Sequence, residues 1–222
     1  MSAPTYLVFD VETSGLPPRG PRGTPPIPAT DPRQPRLASF AAIIADENGH
    51  EIEGHKFYIR PEGWTMAEFD ARAIAEGKKP ASEVNGLTDA FLNEHGVPVA
   101  GILQFYSGHI LSGLIPVAFN SQFDMKIMRG ELRRGGMPDL FEQSAHICVM
   151  KAQDAYAPRG LCMSSPGFVK LAVALEFHGI INDNPHDAMG DAKGAQELLA
   201  ILIRDGLLPE PKINYSAHGK AA

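Results

Sequence analysis

Residues 6–16 read Tyr-Leu-Val-Phe-Asp-Val-Glu-Thr-Ser-Gly-Leu, and this stretch decides the fold. Tyr6–Glu12 is rich in β-branched and aromatic residues and too short for a helix. Thr13-Ser14-Gly15 closes it, so a strand running into a turn is predicted. Positions i and i+2 of a strand point to the same side. Asp10 and Glu12 therefore leave one face together at the strand's C-terminal end, while Leu7, Phe9 and Val11 face core on the other. Adjacent carboxylates raise each other's pKa, and a hard divalent cation relieves that repulsion. A strand end simply turning into solvent would look the same, so the pair needs company before it defines a site.

Outward from this strand, residues 17–36 hold eight prolines and four arginines without apolar periodicity. That composition predicts an extended loop. It is an insertion and not a linker, because the few residues before it are too short to fold alone. Ser39–Ala45 and Glu51–Ile59 flank Asn48-Gly49, a strong hairpin signal. A weak helical pattern over 65–82 is broken by Gly77 and Pro80. Thr88 can cap a short helix ending at Gly96, and Pro98 can open a longer one to Leu111. Ile115–Phe119 reads as a short buried strand, 121–134 as a helix stopped by Gly135-Gly136, and Ala145–Met150 as a fifth strand. Ser165-Pro166 opens a predicted helix with Phe168, Leu171, Leu175 and Ile180 on its apolar side. A last helix over 186–204 carries Ala188, Ala192, Ala195, Leu199 and Leu202 on one face. Strands, then strands alternating with helices, predict one α/β domain over residues 1–208 with a mixed sheet, and 209–222 as a polar tail.

Composition narrows the function classes. The 222 residues carry 20 Lys+Arg against 26 Asp+Glu, a formal net charge of −6. That excludes a generally basic nucleic-acid coat, yet admits an enzyme holding phosphate through metal ions. No apolar run approaches the ~18 residues of a membrane span. The opening residues lack the pattern of a signal peptide, and Cys148 and Cys162 make no disulfide framework. A reduced, cytoplasmic protein without a membrane partner is expected.

Two further groups join Asp10 and Glu12. Asp124 follows Val117-Ala118-Phe119-Asn120, a buried strand leading into a helix, where open α/β sheets place ligands. His186 and Asp191 lie in His-Asp-Ala-Met-Gly-Asp. Five helical residues turn through about 500°, so these two converge only if His186 sits in the turn before the helix. Each group alone is more often a cap or a solvated carboxylate. Together, four carboxylates and a histidine at element ends are what two-metal phosphoryl chemistry requires. A histidine suits a general base for water near neutral pH.

Phe9-Asp10-Val11-Glu12-Thr13-Ser14-Gly15-Leu16 resembles the first motif of the DEDDh 3′–5′ exonucleases, the group of the proofreading epsilon subunit of bacterial DNA polymerase III and RNase T. Asn120-Ser121-Gln122-Phe123-Asp124 resembles the second motif, and His186 to Asp191 the third. Asn85-Gly86-Leu87-Thr88 resembles the family's His-Gly-Ile-Thr segment. The resemblance implies a ribonuclease-H-like fold, with a mixed five-stranded sheet whose second strand is antiparallel, flanked by helices. It implies two divalent cations, Mg²⁺ or Mn²⁺, held by Asp10, Glu12 and Asp191, with Asp124 helping through water and His186 as the general base. It implies main-chain contacts from Thr13, Ser14, Gly15 and Leu16 to the terminal nucleotide. Leu87 and Phe123 would pack on its base, with Thr88 beside them and Asn120 near the backbone. The activity implied is release of nucleoside 5′-monophosphates from 3′ ends of single-stranded or frayed DNA, with a polymerase or replication partner in view.

The chain departs from the family at several points. Ser14 stands for a threonine, and Phe119 and Asn85 for histidines. Arg19, Arg22, Arg33 and Arg36 of the insertion could clamp phosphates, and Lys126, Arg129 and Arg133 share a helical face. An exoribonuclease or oligoribonuclease, a non-catalytic nucleic-acid-binding module and a small-molecule phosphodiesterase are the competing readings.

Overall fold

The run of apolar residues ending in Asp10 and Glu12 forms the middle strand of a sheet. A computed structural model describes residues 3–18, 25, 27–140 and 144–213. In it β1 (Pro4–Thr13) pairs antiparallel with β2 (Leu37–Asp46), which pairs antiparallel with β3 (Glu51–Tyr58). On its other side β1 runs parallel to β4 (Ile115–Ala118), itself parallel to β5 (Ile147–Cys148). The order β3-β2-β1-β4-β5 is the five-stranded mixed sheet that the sequence predicts, with its antiparallel second strand. Asp46 closes the β2–β3 hairpin by accepting the amides of Asn48 and His50, each at 2.9 Å. Gly49 takes the left-handed conformation there, at φ 79°. Every residue of β2 is buried, because helices or loops cover both of its faces.

The helices are α1 (Met66–Ala75), α2 (Ser82–Asn85), α3 (Asp89–His95), α4 (Val99–Leu111), α5 (Ser121–Arg134), α6 (Val149–Ala152), α7 (Leu171–Phe177) and α8 (Ala188–Arg204). On one face of the sheet Tyr6, Val8, Ala41 and Ile43 pack against Ala192, Ala195 and Leu199 of α8. The alanine stripe lets this helix lie close to the strands. On the other face Leu7, Phe9 and Phe40 pack against Leu103 and Tyr106 of α4 and Met128 and Leu132 of α5. A third cluster joins Trp64, Met66, Phe69, Leu87 and Leu92 beneath the short helices. No helix of the described residues is long and apolar enough to cross a membrane.

Three predicted elements need correction. The fifth strand is only two residues long, because Val149 already begins α6. The helix expected from Ser165 starts at Leu171 instead. Gly167, at φ 72°, turns the chain before it, and the Phe168 amide donates to the Ser165 carbonyl at 2.8 Å. The last helix starts at Ala188, since the Asp187 carboxylate accepts the amides of Met189 and Gly190 and so caps it.

The described part of the insertion is pinned down. Arg36 donates to the Glu131 carboxylate at 2.8 and 3.2 Å, and that carboxylate also accepts the Leu37 amide. Arg33 folds back onto Asp31, and Arg134 donates to the Ala29 carbonyl at 2.9 Å. Arg33 and Arg36 are thus engaged within the protein, while Arg19 and Arg22 lie outside the described residues. Arg129 and Arg133 meet Asp139, leaving Lys126 as the exposed cation of that helical face. Of the expected tail, Lys212 pairs with His146, and residues 214–222 lie outside the described ones.

Candidate active site

The site begins where β1 outruns its neighbour. β4 pairs with β1 only as far as Val8, so the strand continues alone on that side. Further along, the Val11 amide donates instead to Asp124 Oδ1 at 3.2 Å. Asp124 sits in the first turn of α5 and is buried. The face of β1 that carries Tyr6 and Val8 lies under α8. Past Val8 that same face continues as Asp10 and Glu12, and there α8 begins, with Asp191 in its first turn. The pleat, the end of β4 and the start of α8 therefore bring the carboxylates together. Oxygens of Asp10, Glu12 and Asp191 all lie within 4.8 Å of one another. Asp124 lines the same cleft, of about 340 Å³.

This concentration of acid is electrostatically costly. Burial pushes Asp10 well above the usual carboxylate range, and the charges of Asp124, Glu12 and Asp191 push it further. Burial and Asp191 raise Glu12 to about 8, against a hydrogen bond from Asn85 that lowers it. Asp124 rises to about 7 through burial, although its own amide and that of Val11 pull it down. Asp191 is raised by burial and held back by Asn182 and by His186. A cation among four acids that resist ionisation side by side would relieve their mutual repulsion. Clustered carboxylate oxygens suit a hard divalent ion such as Mg²⁺ or Mn²⁺. Asp10, Glu12 and Asp191 are the residues that could hold one, with Asp124 behind them.

His186 stands in the turn before α8, exposed, at φ 62°. That placement lets it reach Asp191 without sharing its helical face. A left-handed histidine is uncommon and marks a locally imposed conformation. Two contacts impose it. The Asp187 amide donates to the Asn184 carbonyl at 3.3 Å, and Lys56 of β3 forms an ion pair with the Asp187 carboxylate. Gly190 completes the fit: a Cβ there would lie 2.4 Å from the Asn184 carbonyl oxygen.

The remaining expected residues divide. Asn120 and Phe123 line the cleft beside Asp124. Thr13 donates to the Gly15 carbonyl at 2.7 Å, and Ser14 exchanges bonds with Arg36, its amide donating to the Arg36 carbonyl and its hydroxyl accepting the Arg36 amide. Leu16 is 75% exposed. Leu87 is buried in the third cluster, and Thr88 caps α3 by accepting the Phe91 amide; neither lines the cleft. Both belong to the turn that Asn85 ties to β1, donating to the Thr13 carbonyl at 3.1 Å. Sequence reasoning missed three neighbours of the acids. Asn182 donates to Asp191 Oδ1 at 2.7 Å, yet in Ile-Asn-Asp-Asn-Pro it reads as a loop residue. Lys56 is separated from Asp187 by most of the chain. Phe168 looked like core and lines the cleft instead.

No known family's sequence profile matches the chain, and no curated protein matches it in sequence. Solved structures do match in fold. Escherichia coli exonuclease I in complex with a dT13 oligonucleotide superposes with a TM-score of 0.67 at 20% identity, over 90% of this chain and 41% of that one. The zinc-bound form of the E. coli exonuclease I–ssDNA complex gives 0.69 at 21% identity, over 92% and 42%. The moderately thermophilic exonuclease I from Methylocaldum szegediense gives 0.65 at 20%, over 92% and 41%. The chain thus spans about two fifths of the length of these neighbours. Its fold is the ribonuclease-H-like α/β fold that they share.

Proposed function

We propose that the protein is a divalent-metal-dependent 3′–5′ exonuclease that removes nucleoside 5′-monophosphates from single-stranded or frayed DNA ends. The observation that carries this reading is the convergence of Asp10, Glu12 and Asp191 within 4.8 Å, beside Asp124, in one cleft. A fold similar to exonuclease I, whose structures include complexes with dT13 and dA16, supports it and favours DNA over RNA. In this reading residues 1–208 act as one catalytic unit. The neighbours' names give DNA as ligand and no polymerase, so no polymerase partner enters the proposal.

Asp10, Glu12, Asp191 and, through water, Asp124 would hold two cations, Mg²⁺ or Mn²⁺. Such ions supply charge stabilisation for the phosphate as the bond order at phosphorus changes. His186 takes a proton from the attacking water, whose oxygen bonds to phosphorus while the bond to the 3′-oxygen of the preceding nucleotide breaks. That oxygen leaves protonated by solvent. The main chain of Thr13, Ser14, Gly15 and Leu16 contacts the terminal nucleotide, Phe123 packs on its base and Asn120 meets the backbone. Leu87 and Thr88 support this wall through Asn85.

Chromatography of the products from linear and circular single-stranded DNA tests the reading. Nucleoside 5′-monophosphates from the linear substrate alone, dependent on metal, are expected. Internal cuts in the circle, or metal-independent release, would contradict it.

A further inference from the structure

Besides Phe123, the cleft is lined by an aromatic ring that the core leaves half exposed. Phe168 is 49% exposed and lines the same cleft as Asp10, Glu12 and Asp191. Its backbone is fixed. The amide of Phe168 donates to the Ser165 carbonyl at 2.8 Å, its carbonyl accepts the Ser164 amide at 2.9 Å and hydroxyl at 2.8 Å, and Gly167 donates to Asp154 Oδ1 at 2.8 Å. The segment then runs into α7, with Val169 buried and Lys170, the extended residue that begins the helix, exposed. Lys170 forms no ion pair with any described residue. A ring held in the lining of an acidic cleft, with an exposed, unpaired cation two residues further along the chain, is the pairing that binds single strands. The ring stacks a base and the cation meets a phosphate, with little regard to sequence.

We infer that Phe168 and Lys170 form a nucleotide-binding ledge, on which Phe168 stacks a nucleobase of the bound strand and Lys170 contacts its phosphate backbone. This rests on the exonuclease reading, since it names how that site grips its substrate.

The test uses the full chain with Ca²⁺, which supports binding without turnover, and DNA carrying 2-aminopurine at each of the last three positions in turn. Wild-type protein is expected to quench one of these probes by stacking. Phe168→Ala should lose that quenching and bind about 5- to 150-fold more weakly, while Phe168→Trp retains both. Lys170→Ala should lower the slope of log affinity against log salt by about 0.7, the value for one phosphate contact on a single strand. Unchanged quenching and affinity in Phe168→Ala, with an unchanged salt slope in Lys170→Ala, would overturn the ledge. Wild-type protein that neither binds nor degrades DNA would instead overturn the exonuclease reading itself.

Discussion

His186 is set apart by its backbone, and the proposed general-base role depends on that placement. At φ 62° it stands in the turn before α8, where its amide hydrogen-bonds the Asp191 carboxylate. His186→Ala should lower the cleavage rate by roughly 10²- to 10⁴-fold, the range of a lost general base, with Mn²⁺ affinity by calorimetry unchanged. A loss of metal affinity would make His186 a ligand instead. Asn182 acts one shell out, holding Asp191 Oδ1 at 2.7 Å. Groups that orient a ligand are worth roughly 10- to 100-fold in metal affinity. Asn182→Ala should weaken Mn²⁺ binding by that much, and an unaltered affinity would remove it from the site.

At the scale of elements, the start of α8 depends on a glycine. Gly190 lies where a methyl group would press on the Asn184 carbonyl, so Gly190→Ala must push apart the helix and the turn holding Asn182 and His186. Overpacking of this kind costs about 1–3 kcal/mol. The variant should melt lower and lose activity out of proportion to its stability, as thermal denaturation and kcat would record. An active, equally stable variant would show that the turn tolerates movement. The elements themselves were unevenly legible. The short β-branched and aromatic run over Tyr6–Glu12 and the Asn-Gly turn announce β1 to β3, because those signals are local. The carboxylates were legible because the pleat alone puts Asp10 and Glu12 on one side. Phe168 was misread because helical spacing linked it to Leu171 and Leu175, whereas Gly167 breaks the helix before it begins. Lys56 and Asn182 were invisible, since their contacts arise only once β3 and the 182–184 turn meet α8.

Taken as a whole, the molecule sets a well-packed sheet beneath a cluster of charges that oppose one another. With Glu12 raised to about 8 and Asp124 to about 7, the folded chain binds more protons than the unfolded one from about pH 4 upward. Stability of the metal-free protein must therefore fall as pH rises through that window. The carboxylate of Asp31, lowered to about 2, acts below it. Thermal melts in EDTA should show a falling Tm from about pH 5 to pH 8, and Mg²⁺ should raise Tm most at the upper end, where the ligands are ionised. A Tm in EDTA that is flat or rises over this range would mean that the acids do not repel as their placement requires. If these carboxylates drive hydrolysis from a 3′ end, digestion of 5′-labelled single-stranded DNA with Mg²⁺, with EDTA and with Asp10→Ala will show it. A ladder shortening from the 3′ end with Mg²⁺ alone, and absent with EDTA or in a folded Asp10→Ala variant, is the predicted result. Cleavage persisting in that variant at more than a small fraction of the wild-type rate would mean that Asp10 does not hold the catalytic metal.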